Sequence, residues 1–332
     1  MFGHGSVPRI LEQIGWIWLA WIFWLACALA LLLLLNCALR LVHLPVLPEY
    51  IQVFIALAAM ITMTAFGTME ANNIKVRTLL IDSPRVPESV GDYTIAMISD
   101  MHIGNAATEY RVKRAIELVT QAKPHLILSA GDMLDGHGER ERNLMSLVAG
   151  MSGQETCQKL AVFGNHDVYS SIEFSRECHS LAGFRVLEDE GVAVNDWLWI
   201  YGEKDPAQHR NDKEPSAAIT SEDNWPLELH EGYPVFRILL KHRPEGFSRV
   251  FGEKAPFELE LSGHSHGGQI IPFNYLVRLQ HPYKEGILHT LANGMTLYVS
   301  RGTGLWGMPF RVGAPPEVTL ITLRHCDPEP EN

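Results

Sequence analysis

The sequence predicts an α/β chain in which parallel β-α-β units build two sheets of one domain, preceded by one or two membrane-crossing helices. Three observations carry this. Two long uncharged stretches occupy the first 70 of 332 residues. Beyond them, short apolar runs alternate with segments of helical period, the pattern of β-α-β units. The apolar runs also end in blocks rich in Asp, Asn and His, so these blocks lie at the carboxyl ends of strands, where open α/β sheets bind ligands.

Residues 13–39, between Glu12 and Arg40, carry no charge, and a second uncharged stretch covers 50–69. Each supplies the roughly 20 apolar residues needed to cross a bilayer. Trp16, Trp18, Trp21 and Trp24 gather towards one end of the first, like an interfacial belt. The second is diluted by Gln52, three Thr residues and Gly67. A cleaved signal peptide fits the first stretch less well, because its apolar run is too long and no small-x-small site follows. Helices are therefore expected at about 14–36 and 50–69, with Pro45 and Pro48 in the turn between them. This gives an anchor over 1–70, a linker over 71–91, a folded domain over 92–324 and an acidic tail over 325–332. Arg9, Lys75, Arg77 and Arg85 on the outer flanks outnumber Arg40 in the turn. A multi-pass inner-membrane protein with its domain in the cytoplasm follows from that bias. If only the first stretch spans, the domain lies on the other side.

The net charge of −11 arises from Glu70 onward, since Arg9 and Arg40 balance Glu12 and Glu49 before it. An acidic domain without a basic stripe speaks against nonspecific nucleic-acid binding. A phosphorylated substrate remains open to it, because bound cations supply positive charge locally. The five cysteines show neither metal-ligand spacing nor a disulfide framework. No feature of the sequence fixes an oligomeric state.

Along the domain, 93–99 reads as a buried strand ending at Asp100. A helix follows over 109–122 with Val112, Ile116 and Val119 on one face, and Pro124 stops it. Residues 126–129 are the next strand, ending at Gly131-Asp132. After a helix over 140–149, the strand 160–163 ends at Gly164-Asn165. A helix is expected at 172–182, then a hairpin of 192–194 and 197–201 around Asn195-Asp196. A charged insertion runs over 203–234. Residues 235–240 end at His242, 257–261 end at Gly263-His264, and 297–300 and 318–323 supply late strands.

Five blocks thus stand at strand ends: Asp100-Met101-His102, Asp132 with Asp135, Asn165-His166-Asp167, His242, and His264-Ser265-His266. Read alone, each is ordinary: Asp132 and Asp135 as a helix cap and a turn residue, Gly-Asn-His-Asp as a turn, His242 as a loop histidine. Together they offer two carboxylates, one amide oxygen and four imidazoles to one point, with His166 left over. That is a donor set for two divalent cations, and two metals in a cleft point first to phosphoester hydrolysis. Oxygen and imidazole without thiolate favour Mn, with Fe or Zn as alternatives. Asp132 is the natural bridging ligand, since one carboxylate can share its two oxygens between ions. Gly131 and Gly263 permit the tight backbone that strand-end ligands need. The remaining histidines, His281 among them, read as ordinary, and His137 is left open.

The order D-x-H, G-D-x-x-D, G-N-H-D, a lone His and G-H-x-H resembles the calcineurin-like metallophosphoesterase family over about 92–324. The run 263–269, with Arg301-Gly302 and 315–318, looks like its membrane-anchored bacterial branch. The resemblance implies a four-layer α-β-β-α sandwich. It implies that Asp100, His102, Asp132 and His266 hold one metal, and that Asp132, Asn165, His242 and His264 hold the second. It places His166 near the leaving group with Asp167 supporting it, while Asp135 is expected to hydrogen-bond a ligand or its loop. Hydroxide held between the metals would attack phosphorus in line. The branch includes UDP-diacylglucosamine pyrophosphate hydrolases, so a lipid-linked substrate is expected at the membrane, with a soluble phosphodiester or phosphoprotein, or a non-catalytic scaffold, as alternatives. The apolar segments 270–273 and 302–310 read either as an acyl-chain groove or as ordinary packing.

Overall fold

The computed structural model describes residues 6–104, 106–209, 225–230 and 232–327. Half of the predicted insertion at 203–234 and the end of the acidic tail lie outside the described residues.

Helices α1 (Ser6–Leu41) and α2 (Glu49–Ala71) come first, both long and apolar enough to cross a membrane. Each overruns its predicted bounds, since residues beyond the uncharged stretch still continue the helix. Trp21 Nε1 donates to Thr64 Oγ1 at 2.9 Å, and at the other end Leu47 N donates to Asn36 Oδ1 at 3.1 Å. These two contacts run the helices antiparallel as a hairpin. Only residues 72–74 separate α2 from strand β1 (Lys75–Ser83), which corrects the predicted linker. β1 pairs with a late strand along its whole length and is mostly exposed. An edge strand buries little, so its residues carry little apolar pattern.

There follow β2 (Tyr93–Ile98), β3 (Ile103–Gly104), α3 (Glu109–Ala122), β4 (Leu126–Ser129), β5 (Leu134–Asp135), α4 (Glu139–Val148) and β6 (Gln158–Ala161). Next come α5 (Asn165–Tyr169), α6 (Ile172–Leu181), β7 (Arg185–Val186), β8 (Glu190–Ala193), β9 (Leu198–Gly202) and α7 (Pro206–His209). The chain ends with β10 (Phe236–Leu240), β11 (Leu259–Ser262), α8 (Phe273–Val277), β12 (Leu288–Thr290), β13 (Thr296–Val299) and β14 (Glu317–His325). α3 shows how local sequence sets these bounds. The Thr108 side chain accepts from Arg111 N at its start, and Lys123 in the left-handed conformation, just before Pro124, ends it.

The strands form two six-stranded sheets, β1-β14-β2-β4-β6-β7 and β12-β13-β11-β10-β9-β8, plus the small pair β3-β5. β2, β4, β6 and β7 run parallel in the first sheet, and β9, β10, β11 and β13 in the second. Alternation along β2 divides its residues between two cores. Ile95 and Met97 join Leu128, Ile238 and Leu261 between the sheets, while Ala96 and Ile98 pack under α3, α4 and α6. Over the outer face of the second sheet lies a thinner layer, a short helical segment at Leu227–Leu229 and turns carrying Phe251 and Phe257. Four layers result, and they aim the carboxyl ends of β2, β4 and β6 from one sheet, and of β10 and β11 from the other, at one cleft.

The hairpin docks on this sandwich. Trp24 is buried, stacks on Phe310 with ring centroids 5.3 Å apart and donates from Nε1 to Ile271 O at 2.8 Å. Ala20, Met60, Ile270 and Val312 complete the contact. Glu70 Oε2 accepts from Gly313 N at 2.7 Å. Trp24→Ala should remove about 3 kcal/mol or more, the usual cost of emptying a buried Trp site. Thermal unfolding of the full chain in detergent should show a Tm lower by several degrees; an unchanged Tm would mean that the hairpin is not docked.

Candidate metal centre

Each block follows its strand by two to four residues, and in three of the five the side chains are turned inward by unusual backbone. Asp100, His102, Asp132, His264 and His266 all have positive φ, between 44° and 76°. Non-glycine residues rarely adopt this left-handed region, and where they cluster, function is the usual reason. Backbone bonds lock the turns to one another: Asp100 N donates to Gly131 O at 2.9 Å, His102 N to Asp132 O at 3.0 Å, and Gly263 N to His242 O at 3.0 Å. Gly263 is needed for closeness rather than for its φ, because a Cβ there would overlap Ser99 Oγ and Asp100 Oδ2. Gly131, at φ 93°, leaves space that a Cβ would take from the His242 ring and Gly164 N.

The side chains meet in two groups joined at Asp132. In the first, His102 Nε2 lies 2.9 Å from His266 Nε2, and His266 Nε2 lies 3.5 Å from Asp100 Oδ1. In the second, His242 Nε2 lies 3.1 Å from Asp132 Oδ2 and 3.1 Å from His264 Nδ1. The same Asp132 oxygen is 3.7 Å from His102 Nε2, so it faces both groups. Asp100, His102, Asp132 and His242 are all at most 2% exposed. Among the described residues, Asn165 Oδ1 is buried without a hydrogen-bond partner. A buried amide oxygen without a donor is costly, and a cation is the partner it fits. Donor type, burial and the orphaned oxygen therefore suit a pair of divalent cations.

Outer contacts orient these rings. His242 Nδ1 faces Ala130 O at 2.8 Å, which leaves Nε2 directed at the cluster. Asp100 accepts from Ser99 Oγ and from His264 N. Arg311, fully buried, reaches His266 Nδ1 at 3.0 Å with Nη2 and donates to Arg301 O and Gly304 O. Burial, together with His242 and Arg243, keeps His264 neutral, its pKa lowered to about 2. Burial, His102 and Arg311 likewise hold His266 well below the usual imidazole range. Neutral imidazole is the form that binds metal. Burial opposes the charge on Asp132, yet His242, His102 and His166 outweigh it and keep the carboxylate ionised far below its ordinary range.

His166 stands at the cleft side of the cluster, its ring 4.8 Å from His102 and 5.9 Å from Trp306. The expected support from Asp167 is corrected here. The Asp167 carboxylate accepts from Gly164 N at 2.9 Å and Leu134 N at 2.9 Å, so it ties the β4 and β6 turns together. His166 Nδ1 is held instead by Asp135 Oδ1 at 2.8 Å. Burial disfavours the charged His166 ring, but the Asp135 bond and the Asp132 charge overcome it and raise its pKa. His281, read from sequence as ordinary, lies 5.1 Å from His264 on the cleft wall. Arg311, Ser99 and the Asp135–His166 pair escaped the sequence reading. A lone Arg gives no signal of the ring it touches 45 residues away, and nothing in the sequence pairs Asp135 with His166, 31 residues on.

The cleft above the cluster holds about 340 Å³, and its outer wall is Phe273, Val277, Trp306 and Met308. Gln269 pins that wall, donating to Trp306 O and accepting from Trp306 N, at 2.9 and 3.0 Å.

Two sheets that converge a carboxylate–imidazole cluster at their strand ends define a metal-dependent phosphoester hydrolase. The profile of the calcineurin-like phosphoesterase family matches residues 93–268, just over half of the chain, and the chain belongs to that family. It is 30% identical over 266 residues to an uncharacterized metallophosphoesterase of Aquifex aeolicus, covering 80% of this chain and 97% of the relative. It is 26% identical over 283 residues to a transmembrane protein with metallophosphoesterase domain of Danio rerio, covering 83% of this chain and 63% of that protein. Among solved structures, a 5′-nucleotidase precursor of Thermus thermophilus aligns at 14% identity with a TM-score of 0.36, covering 70% of this chain and 55% of that one.

Asp167→Ala strands two buried N–H groups, each costing about 1–3 kcal/mol, and should lower Tm sharply. Asp135→Asn should keep the Tm within a degree or two while cutting phosphodiester turnover by about tenfold or more. Equal effects of the two variants on both readouts would contradict this division of roles.

Proposed function

We propose that this chain is a membrane-anchored hydrolase of a phosphoester or pyrophosphate bond in a lipid-linked substrate, such as a UDP-diacylglucosamine-type molecule. One observation carries the lipid part: the wall of the metal cleft and the surface on which the membrane hairpin docks are the same segments, 270–277 and 306–312. Phe273 of the wall meets Phe23 of α1 edge-on at 6.1 Å, and Trp306 meets Trp16 at 5.6 Å. A soluble substrate has no need of an apolar wall joined to the anchor. The hairpin crosses the bilayer twice in this reading, with the catalytic unit on the cytoplasmic face as the basic flanks direct. That unit runs to about residue 324, with β1 belonging to it.

Asp100, His102, Asp132 and His266 would hold one divalent cation, and Asp132, Asn165, His242 and His264 the other, with Mn the first choice. When bound, such a pair supplies a nucleophilic water of lowered pKa and positive charge at the phosphoryl oxygens. The protein's own part is positioning and proton transfer. His166, at the cleft side of the cluster, donates a proton to the leaving oxygen or stabilises charge on the phosphoryl group. Asp135 holds His166 Nδ1, so its Nε2 is the atom presented to substrate. The apolar wall excludes water from one side and leaves the acyl chains in contact with the leaflet.

Full-length protein stripped with EDTA and reloaded with Mn should bind two ions per chain and hydrolyse bis-p-nitrophenyl phosphate. Asp132→Ala and Asn165→Ala should lose both metal and activity. His166→Ala should keep the metal and lose about 10²–10⁴-fold in turnover. Normal turnover by His166→Ala would remove its assigned role.

A further inference from the structure

α8 and the turn after it do not behave as a soluble surface. Tyr275, Leu276 and Leu279 are 61%, 52% and 84% exposed, and Phe273 beside them is 43% exposed. Four large apolar residues exposed within seven positions mark an interaction face. Arg278, whose guanidinium lies 5.7 Å from the Tyr275 ring, is the one charge between Ile270 and Tyr283. Such a segment, apolar with a basic residue among its side chains, fits the boundary of an anionic leaflet.

The hairpin fixes the height of this segment. From Leu41, beside the turn, to Trp24 is 17 residues, or about 26 Å at the helical rise. From Glu49 to Gly67 on α2 is 18 residues, or about 27 Å. A bilayer's hydrocarbon core is about 30 Å thick. Both helices therefore reach the near boundary where they touch the catalytic unit. Trp24 contacts Ile271 and Phe310 there, and a Cβ on Gly67 would press on Val312 and Arg311 O. Segment 270–279 continues from that contact, with Phe273 against Phe23 of α1 and its apolar side chains exposed.

We propose that α8 and the following turn, with Leu276 and Leu279 outermost, form a lip that inserts into the near leaflet and seats the mouth of the metal cleft on the lipid surface. The lip rests on the reading of the hairpin as membrane-spanning. It deepens the proposed function by stating how a phosphate at the metals and acyl chains in the leaflet are held together. Phe273 and Val277 face the cleft, while Tyr275, Leu276 and Leu279 are not part of its wall. Contact with lipid and contact with substrate are thus divided between neighbouring residues of one short helix.

The test uses the full chain reconstituted in phosphatidylethanolamine and phosphatidylglycerol vesicles that contain a phosphatidylcholine with a diazirine in its acyl chain. After photolysis and digestion, mass spectrometry should find lipid adducts on α1, on α2 and on the peptide spanning 270–281. Adducts on α1 and α2 alone, including the case in which a second copy of the chain covers the patch, would overturn the lip and leave the anchor intact. A lack of adducts on the hairpin would overturn the anchor and the lip with it. In the same vesicles the double variant Leu276→Ser, Leu279→Ser should hydrolyse bis-p-nitrophenyl phosphate within twofold of the parent. It should hydrolyse UDP-diacylglucosamine at least tenfold more slowly, and equal rates on the lipid would contradict the lip. If the parent ignores that lipid yet 270–281 is labelled, the lip stands and the lipid-substrate reading falls.

Discussion

Asp132 is the point on which the site depends. Its carboxylate is almost wholly buried, faces His242 with one oxygen and accepts the His166 backbone N–H at 2.8 Å with the other. The imidazoles of His102 and His264 lie just beyond. To bring these groups to one carboxylate, five turns from two different sheets must close on one another, and five non-glycine residues must adopt positive φ to do so. Strain of about 1–3 kcal/mol at each such residue persists only where the surroundings over-determine it. Here the surroundings are the two sheets, the core between them and the glycines that admit close approach. A cluster of buried carboxylates and imidazoles is poorly compensated by the protein alone, and divalent cations complete its electrostatics.

From that point the structure grows outward in one direction. His266, held from behind by Arg311, leads to the 301–314 loops, whose residues Phe310 and Val312 carry the membrane hairpin. Gln269, three residues beyond His266, fixes Trp306, which walls the cleft and meets Trp16. Candidate ligand, cleft wall and hairpin are therefore consecutive layers of packing among the described residues. Under the proposed membrane-spanning reading, this packing also sets which edge of the cleft faces the lipid.

Much of this was legible in the sequence because it rests on short-range chemistry. The strand-end blocks, the β-α-β rhythm and the uncharged stretches each express themselves within a few residues. β1 was missed because an exposed edge strand carries little apolar pattern. The family resemblance assigns the support of His166 to Asp167, and the structure gives it to Asp135. In the fold, Asp167 turns back onto Gly164 and Leu134, while Asp135 arrives from the neighbouring strand end. Arg311 and the α1–Phe310 contact were invisible for a similar reason, since each joins residues that only the tertiary fold brings together.

Anomalous diffraction from crystals of the Mn-loaded protein, recorded on both sides of the Mn absorption edge, tests the central claim most directly. Two peaks should flank the Asp132 carboxylate about 3.5–4 Å apart, one beside Asp100, His102 and His266, the other beside Asn165, His242 and His264. A single peak, or peaks that do not share Asp132, would contradict the account.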